Sequence, residues 1–299
     1  MKAPAFSYLR PRQLREVLTL LAEHGDEARL LAGGQTLLAT LNMRLSEPAL
    51  LIDMQAVNEL KGISLNGNAL RIGAMVTHTE IENSALVAQH APLLTAAAPH
   101  IAHRAIRNLG TFGGSIAYGD PAAEWPACLL ALGGVIVARS LRGERIIAAD
   151  DFFTGLYTTD LAPDEVIVAC EIPEAQANRQ MSFTELARRH GDYAIVGLAA
   201  AATVANNKIS DVRLAWIGVG STPMRSPKAE HALDGQQLTM RSLGNAVDVL
   251  RSEIAPIPDL THSEAAKKQL AGVLLKRALL SWMPASVTPT APSAQKEAA

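Results

Sequence analysis

The sequence predicts an α+β chain, on three observations. In the first half, short apolar runs broken by glycine alternate with helix-spaced runs; Asn66-Gly67 sits between two segments of alternating polarity; and the second half passes from paired apolar runs to helical periodicity. Leu14, Val17, Leu18 and Leu21 share one face of a helix over 14–23, which Gly25 stops. Residues 28–31 form a short apolar strand, Gly33-Gly34 break it, and a helix-prone run covers 36–45. Residues 49–53 then read as a parallel strand returning after that crossover.

Residues 62–73 form a hairpin about Asn66-Gly67, the strongest short-range signal for one. A helical region is predicted over 79–103, with Glu80 and Glu82 near its positive end. A second glycine segment, 110–115, leads through small residues to Cys128. Strands are predicted over 135–138, 144–148 and 165–172. The composition turns polar around 173–180, which marks a domain boundary. Residues 194–204 are alanine-rich, yet Asn206-Asn207-Lys208 and the apolar run at 212–219 favour an antiparallel pair there. Helices follow over 229–233, 240–254 and 263–282, and the proline-, serine- and alanine-rich tail 285–299 has too little apolar surface to order itself.

The balance of charge narrows the class of function. With 27 basic and 29 acidic residues among 299, the net charge is −2, and no basic stripe offers an attraction for nucleic acid or anionic lipid. The longest apolar stretches, 127–138 and 194–205, fall short of the roughly 20 residues needed to cross a bilayer, and the first 15 residues lack the pattern of a secretory signal. A cytoplasmic protein is expected. Cys128 and Cys170, with no CxxC spacing, exclude an iron–sulfur cluster or cysteine-only zinc site held by this chain, and read as buried thiols. The eight histidines show no metal-ligand spacing, and Asp150-Asp151 read as a solvated turn.

Two glycine segments carry the chemistry. Ala32, Gly33, Gly34, Gln35 and Thr36 lie between a strand and a helix start, where glycines let backbone N–H groups turn toward one point. A pyrophosphate would meet those N–H groups, the first-turn dipole and the Thr36 hydroxyl; a tight strand-to-helix turn with Thr36 as cap is the other reading of the same residues. Residues Thr111, Gly113, Gly114 and Ser115 repeat these ingredients, and Asp120 and Glu124 follow; read alone, a glycine turn with a surface acid is the other reading of this segment. Together the two segments suit a long dinucleotide, gripped at its phosphates and at its sugar hydroxyls.

The strings LLAGGQTLLATLNMRLSEPALLIDM (30–54) and IRNLGTFGGSIAYGDPAAEWPA (106–127), with RRHGDYA (188–194) and GVGSTPMR (218–225), closely resemble the FAD-binding medium subunit of molybdenum hydroxylases, the carbon monoxide dehydrogenase and xanthine dehydrogenase family. The resemblance runs from about residue 6 to residue 280. It implies a vanillyl-alcohol-oxidase (PCMH) type FAD fold over 1–176, in subdomains of about 1–57 and 58–176, and a smaller sheet-plus-helices domain over 177–284.

It also implies that both glycine segments hold the FAD pyrophosphate. Glu124, Ile101 and Leu161 would line the rest of the cofactor, with Tyr193 close to the isoalloxazine ring. Thr36 stands for the family's usual serine, Phe112 for an isoleucine, and Tyr118 for a frequent histidine. With no histidine in either segment, FAD is expected to be bound non-covalently, and no side chain is assigned a catalytic role or a metal.

The resemblance further implies two partners: a large subunit with a molybdopterin-type molybdenum cofactor and a small subunit with 2Fe-2S clusters, paired as a dimer of heterotrimers. The acceptor of the electrons, whether quinone, NAD, oxygen or another, is left open, as is the substrate. Two other readings are a self-sufficient FAD oxidase or dehydrogenase on the same fold and a flavin-free scaffold subunit.

Overall fold

The computed structural model describes residues 2–283. The tail expected over 285–299 lies outside the described residues. The chain begins with a three-stranded parallel sheet of order β1-β3-β2, built from β1 (Ser7–Leu9), β2 (Ala28–Leu31) and β3 (Leu50–Asp53). The helix α1 (Leu14–His24) joins the first two strands and buries Leu14, Val17, Leu18 and Leu21, the stripe its spacing predicts. Leu30 pairs with Ile52 in parallel register, so the predicted crossover is present, through α2 (Leu37–Asn42).

Two details differ from the prediction. The strand β1 is unforeseen, because its three residues are all exposed and show no alternation; the Tyr8 hydroxyl, donating to the buried Asp53 carboxylate, ties it to β3. The helix over 36–45 ends early at Asn42, and the chain turns away at Arg44, whose φ is +56°.

A five-stranded antiparallel sheet forms the next layer. Its hairpin, β4 (Ile63–Asn66) and β5 (Ala69–Gly73), turns at Gly67, where φ is +59°. In place of one helical region over 79–103 stand α3 (His78–Glu82), α4 (Ala85–His90), α5 (Pro92–Ala97) and a 3-10 turn, Ala98–His100. The breaks have local causes: the Ser84 hydroxyl accepts from the Val87 N–H at 3.3 Å and starts a new helix, and Pro92 occupies the first turn of the next.

Next come α6 (Arg104–Arg107), α7 (Phe112–Tyr118) and α8 (Glu124–Leu132), then β6 (Val135–Ser140), β7 (Gly143–Ala148), α9 (Ala149–Phe152), the small hairpin β8 (Phe153–Gly155) and β9 (Thr158–Thr159), and β10 (Val166–Pro173). The sheet order is β4-β5-β10-β6-β7. All of α8 from Trp125 to Leu132 is buried.

The last layer is an antiparallel sheet, β11 (Arg179–Leu186), β12 (Val196–Ala205), β13 (Lys208–Ile217) and β14 (Met224–Arg225), backed by α10 (Pro227–Leu233), α11 (Met240–Glu253) and α12 (Glu264–Ser281). The alanine-rich run is a strand, as predicted, and packing on both faces explains its composition. Val196, Leu198, Ala200 and Ala202 enter the core shared with α10, α11 and α12, while Ala199, Ala215 and Ile217 enter the core around α8. Only small side chains let α8 approach the sheet that closely.

Asp150 is exposed, as expected, but it lies in α9 and is paired. Both its oxygens accept from Arg213 at 2.8 Å, and Arg225 reaches it at 3.1 Å, so α9 is tied to β13 and β14. Burial tends to raise its pKa, and these two guanidinium groups hold it below the usual carboxylate value.

Candidate functional site

The two glycine segments meet. A Cβ placed on Gly33 would lie 2.1 Å from the Leu109 carbonyl oxygen and 2.7 Å from the Gly110 Cα, so the first segment rests backbone to backbone on the second. Ala32 touches the second from the other side: a Cβ on Gly114 would come within 3.4 Å of the Ala32 methyl. Gly34 has φ +72°, the left-handed region that glycine adopts without strain.

Their hydrogen bonding differs. Among the described residues, the backbone N–H groups of Gly33, Gly34, Gln35 and Thr36 donate to no protein acceptor, and the Gln35 amide steadies the turn by donating to the Gly33 carbonyl at 2.9 Å. Thr36 sits at the N-cap of α2, yet its side chain makes no capping bond. Because α2 has only six residues, its dipole adds little.

In the second segment the N–H groups of Phe112 to Ser115 are taken. The Phe112 N–H donates to Val76 O at 2.8 Å and the Gly113 N–H to Ala74 O at 2.9 Å. The Gly114 N–H donates to the Thr111 hydroxyl oxygen at 3.1 Å, and the Ser115 N–H to Thr111 O at 3.1 Å. Gly113 and Gly114 are therefore the first turn of α7 and not an open loop. This corrects the expectation that their N–H groups converge on a ligand. Close packing requires them to be glycine: a Cβ on Gly113 would stand 2.5 Å from that of Ala74. The Thr111 hydroxyl, accepting from Gly114, still has its own proton to donate.

Ile101 is buried at the end of the 3-10 turn, and its carbonyl accepts from Arg107 at 3.1 Å. The next residue, Ala102, has φ +42° and lies against Gly191, where a Cβ would come within 2.9 Å of the Ala102 oxygen. That contact brings the GDYA segment of the last domain to the Ile101 turn. Leu161, half-buried, packs on the same core as Ile101, Phe112 and Trp125.

Glu124 opens α8, and Trp125 after it packs edge-on against Phe112 with ring centroids 5.5 Å apart. Desolvation, with smaller contributions from the nearby Glu185 and Asp120 carboxylates, pushes the Glu124 carboxyl up to about 8. Tyr193 is 70% exposed beside this acid group. Its phenol is raised by partial burial first and then by Asp120, Tyr157, Tyr118 and Glu124. Tyr118 and Tyr157 lie with ring centroids 5.0 Å apart, and Tyr157 is held at φ +53°.

The structure thus joins the two glycine segments to each other and Ile101 to the GDYA loop, and it sets Tyr193 within electrostatic range of Asp120, Tyr157, Tyr118 and, most weakly, Glu124. His78, Trp125 and Tyr157 were missed by sequence reasoning. Thr77-His78-Thr79-Glu80 carries a capping-box pattern, which marks a helix start and says nothing of the His78 ring. Cys128 and Cys170 are free and buried, and among the described residues no three His, Cys, Asp or Glu side chains gather to hold a metal ion. No helix among the described residues is long and apolar enough to cross a membrane.

Comparison with known proteins agrees along the chain. Residues 4–175 match the family described as FAD binding domain in molybdopterin dehydrogenase, and residues 181–282 match the CO dehydrogenase flavoprotein C-terminal domain. The chain is 40% identical to the nicotine 6-hydroxylase medium subunit of Paenarthrobacter nicotinovorans, over 94% of this chain and 98% of that one. It is 35% identical to the carbon monoxide dehydrogenase medium chain of Hydrogenophaga pseudoflava, over 93% and 97%.

Among solved structures, carbon monoxide dehydrogenase from Hydrogenophaga pseudoflava superposes with a TM-score of 0.92 at 35% identity, covering 95% of this chain and 100% of that one. Quinoline 2-oxidoreductase from Pseudomonas putida 86 gives 0.89 at 37% identity, covering 94% and 98%. The chain belongs to the FAD-binding medium subunits of the molybdenum hydroxylases, molybdenum-dependent oxidoreductases of which carbon monoxide dehydrogenase is one.

Proposed function

We propose that this chain is the electron outlet of a cytoplasmic, three-subunit molybdenum hydroxylase. In this reading a large subunit oxidises substrate at its molybdenum cofactor and a small subunit passes electrons through 2Fe-2S clusters. The chain described here holds the FAD from which an external acceptor draws them, and the assembly is a dimer of heterotrimers. When bound, FAD supplies the conversion between single-electron carriers and a two-electron acceptor. The FAD-binding domain would span 1–176 and the C-terminal α+β domain 177–284. The medium subunits it resembles serve enzymes named for nicotine, caffeine and carbon monoxide, and the choice of substrate rests with the large subunit.

The observation that carries this reading is the run of four undonated N–H groups from Gly33 to Thr36, set against the Leu109-Gly110 backbone. A diphosphate offers the acceptors that such a run lacks. Thr36 and Ser115 add hydroxyl donors on either side. Ala32, Gln35 and the Gly113-Gly114 turn give the cleft its walls, with Thr111 holding that turn. Glu124, neutral at pH below about 8, offers both an O–H donor and a carbonyl acceptor to a sugar hydroxyl. Ile101 and Leu161 exclude water from the apolar part, and Tyr193 covers the outer face where the acceptor enters. Neither glycine segment carries a histidine, and in this reading the flavin is held non-covalently.

The test is an absorbance spectrum of the chain alone and with its co-purifying subunits, with flavin identified after heat release. FAD near one per chain, with iron and molybdenum arriving only with two further polypeptides, is the expected result. A colourless chain that refuses FAD would overturn this reading in favour of a scaffold. A yellow chain that turns over substrate unaided would replace it with a self-sufficient oxidase.

A further inference from the structure

We propose that His78 is a positioning residue for the flavin site: its neutral imidazole ring locks the 109–115 segment to α8 and so sets the wall against which the open N–H run of 33–36 stands. The inference rests on the reading of these two segments as the flavin site. The ring is buried, and its Nδ1 accepts the Trp125 indole N–H at 2.9 Å. Because Nδ1 is the acceptor, the ring proton sits on Nε2. The Nε2 edge lies on the second segment, where a Cβ at Gly110 would be only 2.6 Å away. The His78 backbone N–H donates to Gly110 O at 3.0 Å, and Thr77 and Thr111 pair as an isolated antiparallel bridge. Gly110 is also the residue on which Gly33 rests. One side chain therefore connects α3, α8 and the point where the two glycine segments touch.

The lock needs a neutral ring. A protonated imidazole has two donors and no acceptor, so it would meet the indole N–H as donor against donor. The charged group bearing on the ring is Arg107 of α6, itself paired with Glu82 at 3.0 Å; Trp125 of α8 is an uncharged donor, and Glu80 on the ring's own helix is engaged with Thr77. Burial first, and Arg107 second, lower the His78 pKa from 6.5 to about 4. As pH falls from 6.5 toward that value, the unfolded chain binds a proton that the locked ring refuses, so the locked state loses stability across this window.

The experiment uses the full chain loaded with FAD, together with whatever subunits co-purify. It follows flavin release by fluorescence and backbone structure by circular dichroism, from neutral pH down to about 4. His78→Ala removes the ring and Trp125→Phe removes its donor. His78→Asn places an amide oxygen where Nδ1 stood and takes up no proton. We expect His78→Ala and Trp125→Phe to bind FAD about tenfold more weakly at neutral pH. We also expect native protein to release FAD in acid while its circular dichroism persists, and His78→Asn to hold FAD to lower pH.

Native-like FAD affinity in His78→Ala would overturn the proposal. So would identical acid-release profiles for native and His78→Asn, or release that occurs only with loss of the backbone signal. Failure of the flavin-site reading itself has a different signature: a native chain that takes up no FAD at neutral pH, or a Gly33→Ala chain that holds it as tightly as native.

Discussion

The segments 32–36 and 109–115 contain the same kinds of residue, a glycine pair beside a hydroxyl, and spend their backbone donors in opposite ways. In the first, four successive N–H groups face no protein acceptor. In the second, the corresponding groups close the first turn of α7 or bond to the chain leaving β5. The difference arises from what each segment is packed against. The second lies beside the Ala74 and Val76 carbonyls and carries a threonine whose hydroxyl caps its helix; the first rests on the Leu109-Gly110 backbone and on the Leu31 and Leu38 side chains without donating an N–H to either. A glycine pair therefore identifies close backbone packing, and a binding role depends on whether its donors are left open.

The sharpest way to break this comparison is Gly33→Ala. The added methyl would meet the Leu109 carbonyl oxygen at 2.1 Å, a backbone atom that cannot swing aside. Separation of the segments, loss of FAD and a stability cost of about 1–3 kcal/mol are expected, read by flavin content and thermal melting. Gly34→Ala tests the turn alone: at φ +72° an alanine costs about 1–2 kcal/mol, with FAD affinity reduced but measurable by titration.

A paired experiment at the two hydroxyls separates the roles. Thr111→Ala removes the α7 cap and should lower stability by about 1 kcal/mol. Thr36→Ala has no cap to lose, so its melting temperature should stay near native while FAD affinity falls several-fold. Equal behaviour of the two variants would mean that the segments do the same work. A separate test concerns Glu124. Its carboxyl keeps its proton in the fold up to about 8 but loses it near 4.5 when unfolded, so the fold holds the extra proton and stability declines as pH rises between these values. Glu124→Gln should flatten that part of the stability profile in chemical denaturation.

Much of the architecture was legible in the sequence because it rests on periodicity. The α1 stripe, the Asn66-Gly67 hairpin, the parallel return of β3 and the strand pairing of 196–217 follow from local pattern. Where no pattern existed the reading fell short: β1 is fully exposed and silent, and the helical region over 79–103 was cut by Ser84 and Pro92, whose weight against the surrounding helix formers was not counted. The candidate site was legible as residue types, and the family resemblance added Ile101, Leu161 and Tyr193 to it as expectations.

The sequence by itself determined the α+β class, the two glycine segments and the family. Tertiary structure alone decided which segment keeps its N–H groups open, because an acceptor such as Ala74 O lies 39 positions before the Gly113 that it satisfies and no local pattern joins them. It also decided that His78 and Trp125, 47 positions apart, form one hydrogen bond beneath the site. Hydrogen-bond satisfaction is a property of the folded neighbourhood, whereas periodicity and turn preference belong to the chain.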